Sequence, residues 1–228
     1  MKNKYLVGKG VIAAAAMFAA AVPRAYAREP AGSLPPPGSY TLNHIQRVPI
    51  ATVLEGGNAP RPLSQYTEGA VTLFAFFYSY CADPNGCPLA WEAFEKVREE
   101  IIARVELHGR VRLVFMSLDL AHDTPETLRI LARRYEERAE IVPWHFLTAS
   151  SYQILNPLLR DMGEEISVDR VASASGGVVL NHLLKVFLID SRGWVREIYS
   201  NQSLDSAAIL GDIKSLLIEE EKPGSHND

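Results

Sequence analysis

The chain has 228 residues, 47% hydrophobic and 22% charged, with 23 Lys and Arg against 27 Asp and Glu for a formal net charge of −4. That length and apolar fraction suffice for one domain with a full core. The acidic balance excludes the basic footprint by which proteins hold nucleic acid.

Residues 1–27 read as a targeting leader. Lys2, Lys4 and Lys9 form a basic start, Val11 to Val22 a twelve-residue apolar core, and Ala25-Tyr26-Ala27 a small-x-small cleavage site. Twelve apolar residues fall short of the roughly twenty that a membrane-spanning helix needs. The expectation is cleavage after Ala27 and export to the periplasm, with an uncleaved anchor as the rival. The leader carries four basic residues and no acidic one, so its removal leaves 19 basic against 27 acidic, a net charge of −8. Such a surface suits a positively charged protein partner or a cation, and is also what a merely solvated acidic face looks like. A membrane is expected only through a partner or an uncleaved leader.

Residues 28–46 are rich in Pro and Gly (Pro30, Gly32, Pro35, Pro36, Pro37, Gly38) and predict an extended, mobile lead-in. The domain proper is expected over 47–220, with a polar tail at 221–228. Val48 to Leu54 predicts a short strand. Ala70 to Tyr78 is continuously apolar, as in a strand covered on both faces. Pro88 to Leu107 has helical spacing, with Cys87 expected as N-cap and Pro88 at the first helical position.

Val111 to Asp119 predicts the next central strand. A helix is expected from Asp123 or Thr124, with Pro125 in its first turn, to about Ala139. Trp144 to Leu147 predicts a strand and Tyr152 to Met162 a short helix. Leu184 to Asp190 and Val195 to Tyr199 flank Ser191-Arg192-Gly193, a hairpin signal, and Leu204 to Ile218 closes as an amphipathic helix. Strand, helix, strand, helix, hairpin and final helix predict an α/β, thioredoxin-like domain with a central mixed sheet flanked by helices.

Cys81 and Cys87 are the only cysteines, and they lie where the first core strand gives way to a helix. A thiolate there faces the helix's positive end, which favours ionisation. In an exported chain, two cysteines also suit a single structural disulfide. So short a ring would restrain the unfolded chain by only about 2 kcal/mol.

Three blocks resemble the Sco/SenC family of exported, copper-binding, thioredoxin-like proteins that help assemble the copper centre of cytochrome c oxidase. They are Phe76-Phe-Tyr-Ser-Tyr-Cys81 with Cys87-Pro-Leu89, Ser117-Leu-Asp119 with Asp123-Thr-Pro-Glu-Thr-Leu128, and Asn181-His182 with Phe187-Leu-Ile-Asp190 and Gly193. The similarity runs from about Val48 to Leu217. It departs from the family in a Cys-x5-Cys loop, two residues longer than the family's, and in Leu120 where the family has proline. The turn formers Asp83, Pro84, Asn85 and Gly86 are expected to bulge outward and leave both sulfurs near the helix end.

The resemblance implies copper, as Cu(I) or Cu(II), held by Cys81, Cys87 and His182, since two thiolates and an imidazole suit both states. It implies delivery to a copper-receiving or disulfide-containing exported partner, such as a cytochrome c oxidase subunit. Two alternatives stay open. One is a metal-independent thiol–disulfide oxidoreductase or electron carrier in which Cys81 attacks and Cys87 resolves. The other is a disulfide-stapled interaction protein.

The remaining candidates have plainer expectations. His44 and His226 are expected to be inert, His108 to cap a helix end, and His122 to serve a helix start. His145 is expected as a half-buried, hydrogen-bonded imidazole. Asp119 and Asp123 suit turns and caps rather than a calcium loop. Tyr78 is expected in the core, and Tyr80 is the aromatic expected to shield the cysteines.

Overall fold

A computed structural model describes residues 34–81, 83, 86–169 and 179–222. The leader with its expected cleavage site, the start of the lead-in, Ala82, Pro84, Asn85, His226 and the rest of the tail lie outside the described residues.

The first half of the chain supplies β1 (Gln46–Arg47), β2 (Thr52–Val53), β3 (Arg61–Pro62), α1 (Ser64–Thr67) and β4 (Val71–Phe77). There follow α2 (Cys87–Ile102), β5 (Val111–Ser117), α3 (Pro125–Ala132), β6 (Trp144–Leu147) and α4 (Tyr152–Asp161). The chain then forms β7 (Ile166–Asp169), β8 (Val179–His182), β9 (Lys185–Ile189), β10 (Trp194–Ser200) and α5 (Ser206–Glu220). Six strands make one mixed sheet in the order β1-β10-β9-β4-β5-β6. The β4, β5 and β6 strands run parallel through helical crossovers, while β9 pairs antiparallel with both β4 and β10.

The sequence logic is clearest in β4, where all seven residues are buried. A strand with no polar face needs cover on both sides and neighbours on both edges, and β5 and β9 are those neighbours. At the end of β4, Phe77 stacks on Phe115 at 5.0 Å, and Trp91 of α2 meets Phe115 edge-on at 4.9 Å. Such pairs are each worth about 0.5–1.5 kcal/mol beyond their buried area. They anchor the first turns of α2 against the strand end, and so fix where the two cysteines stand.

Several expectations change. The strand expected over Val48 to Leu54 is only Thr52–Val53, paired with Arg61–Pro62 in a small hairpin outside the main sheet. The helix expected to reach Ala139 stops at Ala132 and tightens into a 3-10 turn over Arg133–Tyr135. There the Arg98 guanidinium, reaching from α2, takes the carbonyls of Tyr135 and Glu137. The described part of the lead-in is not loose. Gly38 N–H donates to Ser215 Oγ at 3.0 Å and Tyr40 Oη to Asp212 at 2.5 Å, both on α5.

Candidate metal and thiol centre

The centre is assembled at the carboxyl end of β4. After Phe77 the chain turns, with Cys81 N–H donating to the Tyr78 carbonyl at 3.2 Å. A buried carboxylate fastens this turn. Asp123 accepts from Ser79 N–H at 3.0 Å, from the Ser79 hydroxyl, and from Ser117 Oγ at 2.6 Å. Asp123 therefore ties the cysteine loop to β5, and the α3 cap is Thr124, whose hydroxyl accepts from Thr127 N–H at 3.2 Å. The expectation that Cys87 is the α2 N-cap is corrected in the same way. Gly86 is the cap, held by its N–H on the Asp83 carbonyl at 3.0 Å, and Cys87 is the first helical residue with Pro88 next.

That one-residue shift divides the chemistry between the sulfurs. Both cysteines are free thiols, Cys81 half-buried and Cys87 buried. A hydrogen bond from the Cys87 thiol lowers the Cys81 pKa to about 5 against the opposing effect of burial. The Tyr78 side chain and the N–H groups of Cys87 and Asp83 add to the lowering. The first amide of α2 thus serves the sulfur of Cys81. The Cys87 thiol is pushed up, first by donating to Cys81, then by burial and by the neighbouring negative charge. Near neutrality the pair is a thiolate at Cys81 and a thiol at Cys87.

His182 arrives from far along the chain. It is the last residue of β8, paired antiparallel with Ile166 of β7, in a stretch for which no strand was expected. The His182 side chain is 3% exposed, with Nε2 3.9 Å from Cys87 Sγ and the Tyr78 ring edge-on at 6.4 Å. Burial lowers its pKa, against the Cys81 charge that raises it, so the imidazole rests in the neutral form that binds metals. A sulfur and an imidazole nitrogen sharing one tetrahedral ion stand about 3.6 Å apart, so this pair is near ligating separation. Among the described residues, no three His, Cys, Asp or Glu side chains close into a ready cage. The arrangement is two linked contacts, Cys81 to Cys87 and Cys87 to His182.

One residue of the site has a role beyond the one expected, and one was missed. Tyr78 is in the core as expected, and is also the aromatic that contacts both Cys81 and His182. Tyr80 is 71% exposed and packs edge-on against His122. Glu164 was not singled out at all. Its buried carboxylate lies 4.0 Å from His182 Nδ1, and burial raises its pKa to about 7. Nothing in Gly163-Glu-Glu165 distinguishes the acid that turns inward from the one that stays exposed. The other described histidines stand apart. His145 Nδ1 donates to Glu55 at 2.7 Å, His122 pairs with Asp119 at 2.6 Å, His108 contacts the Ile102 carbonyl at 3.0 Å, and His44 packs on Trp194.

A model of the SCO1/SenC family matches residues 61–218. No curated protein matches the chain significantly. The crystal structure of Arabidopsis thaliana ScoI with copper bound is similar with a TM-score of 0.62 and 16% identity, over 76% of this chain and 99% of that one. The solution structure of apo Sco1 from Thermus thermophilus gives 0.59 and 21%, over 75% and 93%. BsSco, a member of the Sco family of cytochrome c oxidase assembly proteins in which a disulfide switch was identified, gives 0.55 and 21%, over 79% and 97%. These likenesses agree with the thioredoxin-like mixed sheet, and the family match spans well over half of the sequence. The chain belongs to the SCO1/SenC family.

Proposed function

We propose that this chain is an exported protein that carries one copper ion between Cys81, Cys87 and His182 and hands it to a partner such as a cytochrome c oxidase subunit. The observation that carries the reading is the 3.9 Å approach of His182 Nε2 to Cys87 Sγ across 95 residues of sequence. A strand-end histidine with no role has no reason to be buried against a thiol. The donor set is soft and already half deprotonated, which suits Cu(I), and the neutral imidazole supports Cu(II). Copper-bound relatives of the same fold and the assembly role of BsSco support the choice of cargo and client.

A second reading rests on the inequality of the two thiols. The Cys81 thiolate attacks a disulfide sulfur of the partner, which breaks that S–S bond and releases one partner thiolate. The Cys87 thiol then gives up its proton to the released thiolate and attacks Cys81. Breaking the mixed disulfide between Cys81 and the partner frees the partner's second sulfur as a thiolate. The partner leaves two electrons richer, as one thiol and one thiolate that takes its proton from water, and Cys81 and Cys87 are left as a disulfide.

One experiment separates the readings. Protein recovered from the periplasm, with an intact mass beginning at Arg28 if the leader is cleaved, is prepared fully reduced and fully oxidised and titrated with copper anaerobically. The reduced form should take up one ion per chain and the oxidised form should not, because a disulfide consumes both soft ligands. His182→Ala should keep the fold but weaken Cu(II) and change its spectrum. Equal tight binding by both forms overturns the cysteine ligands, and a parent-like spectrum in His182→Ala removes the histidine. A mass that retains residues 1–27 means an anchored protein.

A further inference from the structure

A buried acid stands behind His182, and neither reading above uses it. It is placed there by the end of α4. Gly163 takes φ +70°, donates its N–H to the Arg160 carbonyl at 2.9 Å, and lets Glu164 N–H reach the Leu159 carbonyl at 2.8 Å. This pair of bonds is the glycine-dependent helix termination in which the chain reverses over its last turn. The Glu164 side chain ends 1% exposed, while the adjacent Glu165 is exposed.

Both Glu164 carboxylate oxygens are buried and accept no hydrogen bond among the described residues, and His182 Nδ1 likewise has no partner. The two unpartnered groups lie 4.0 Å apart. A buried, unpaired carboxylate costs stability, and an apolar side chain there would cost less. The imidazole explains its presence. A neutral imidazole has one proton for two nitrogens, and the partner of one nitrogen decides whether the other is free. Here Nδ1 faces the acid and Nε2 faces the cysteines.

We propose that Glu164 is a positioning residue that accepts the Nδ1 proton of His182, so that the Nε2 lone pair is presented to the thiol side of the centre. The inference rests on His182 acting as a ligand, but its first test needs no metal. In reduced, copper-free protein carrying nitrogen-15 histidine, a two-bond proton–nitrogen correlation reads the His182 tautomer. At about pH 8.5, where Glu164 with its pKa raised to about 7 is ionised, the parent should carry the proton on Nδ1, and Glu164→Gln should as well, because its carbonyl oxygen accepts the same proton. In Glu164→Leu the majority form should change to the Nε2 proton, with a melting temperature equal to or above the parent's. An Nε2 proton in the parent overturns the proposal, and so does a parent-like tautomer in folded Glu164→Leu. If Glu164→Leu fails to fold, the parent and Glu164→Gln decide it alone.

The second readout is Cu(II) affinity, expected to fall by about 10–100-fold in Glu164→Leu and to recover largely in Glu164→Gln. A Glu164-dependent tautomer in a protein that takes no copper at His182 sinks the copper reading and leaves this inference standing. Copper bound through His182 with a tautomer indifferent to Glu164 does the reverse.

Discussion

Cys81 and Cys87 are the same chemical group in two environments, six positions apart. Cys81 collects donors from the Cys87 thiol, the Tyr78 side chain and two loop amides, and Cys87 collects burial and a negative neighbour. The pH dependence follows with a definite sign. With its folded pKa depressed to about 5 from 9.0, Cys81 contributes stability to the reduced protein that is fully present above the unfolded value and is lost as pH falls through about 5. Iodoacetamide labelling of the reduced, copper-free protein should modify Cys81 well ahead of Cys87 at about pH 7. The Cys81 rate should fall with a midpoint near 5, and Cys87→Ala should move that midpoint upward by removing the strongest donor. A midpoint above about 8 in the parent contradicts the assignment of the thiolate.

At the scale of the elements, the cysteine loop is held by a carboxylate from the segment that follows β5. Asp123 satisfies the Ser79 amide, the Ser79 hydroxyl and the Ser117 hydroxyl at once. Hydrogen bonds to charged groups are the strong ones, and losing the acceptor strands buried donors. Asp123→Ala should cost about 2–4 kcal/mol in urea unfolding and should speed labelling of Cys87 by loosening the strand end. A loss below about 0.5 kcal/mol means that water replaces the carboxylate and the tie is dispensable. The Asp-Thr-Pro run was legible as a helix start, and Thr124 does cap α3. That the neighbouring aspartate is buried was not legible, because local sequence cannot report what lies across a parallel strand pair.

At the scale of the molecule, the far end of the sheet is pinned by Arg196, which is 1% exposed. It sits where the β9–β10 register slips between Val195 and Glu197. Its guanidinium meets Asp190 at 3.0 Å, Glu219 of α5 at 2.9 Å and the Leu42 carbonyl at 2.6 Å. One side chain thus joins the hairpin, the last helix and the lead-in. This is why residues expected to be mobile are packed. Arg196→Ala should destabilise by about 3–5 kcal/mol, since it leaves buried Asp190 with only the longer side-chain contacts to Arg192 at 3.8 Å and His44 at 3.9 Å. Denaturant unfolding measures this, and a loss within error would mean that the lead-in holds itself by its α5 contacts alone.

What the sequence by itself determined is the part governed by periodicity and local chemistry. The seven-residue run of β4, apolar but for Thr72, the hairpin around Gly193, and the cysteines at a strand-to-helix turn all follow from neighbours along the chain, and so does the thioredoxin-like order of elements. Asn181-His182 was legible only as one block of a family resemblance. The tertiary structure alone decided which sulfur holds the negative charge, because that depends on one residue of helix register and on Tyr78. It alone brought His182 to Cys87 at the end of β8, and turned Glu164 rather than Glu165 inward behind it. The approach of His182 to Cys87 joins segments 95 residues apart, and even the nearer pairs depend on distances in space rather than on neighbours along the chain. Such distances are fixed by how sheet, helices and hairpin pack, and no local pattern encodes them.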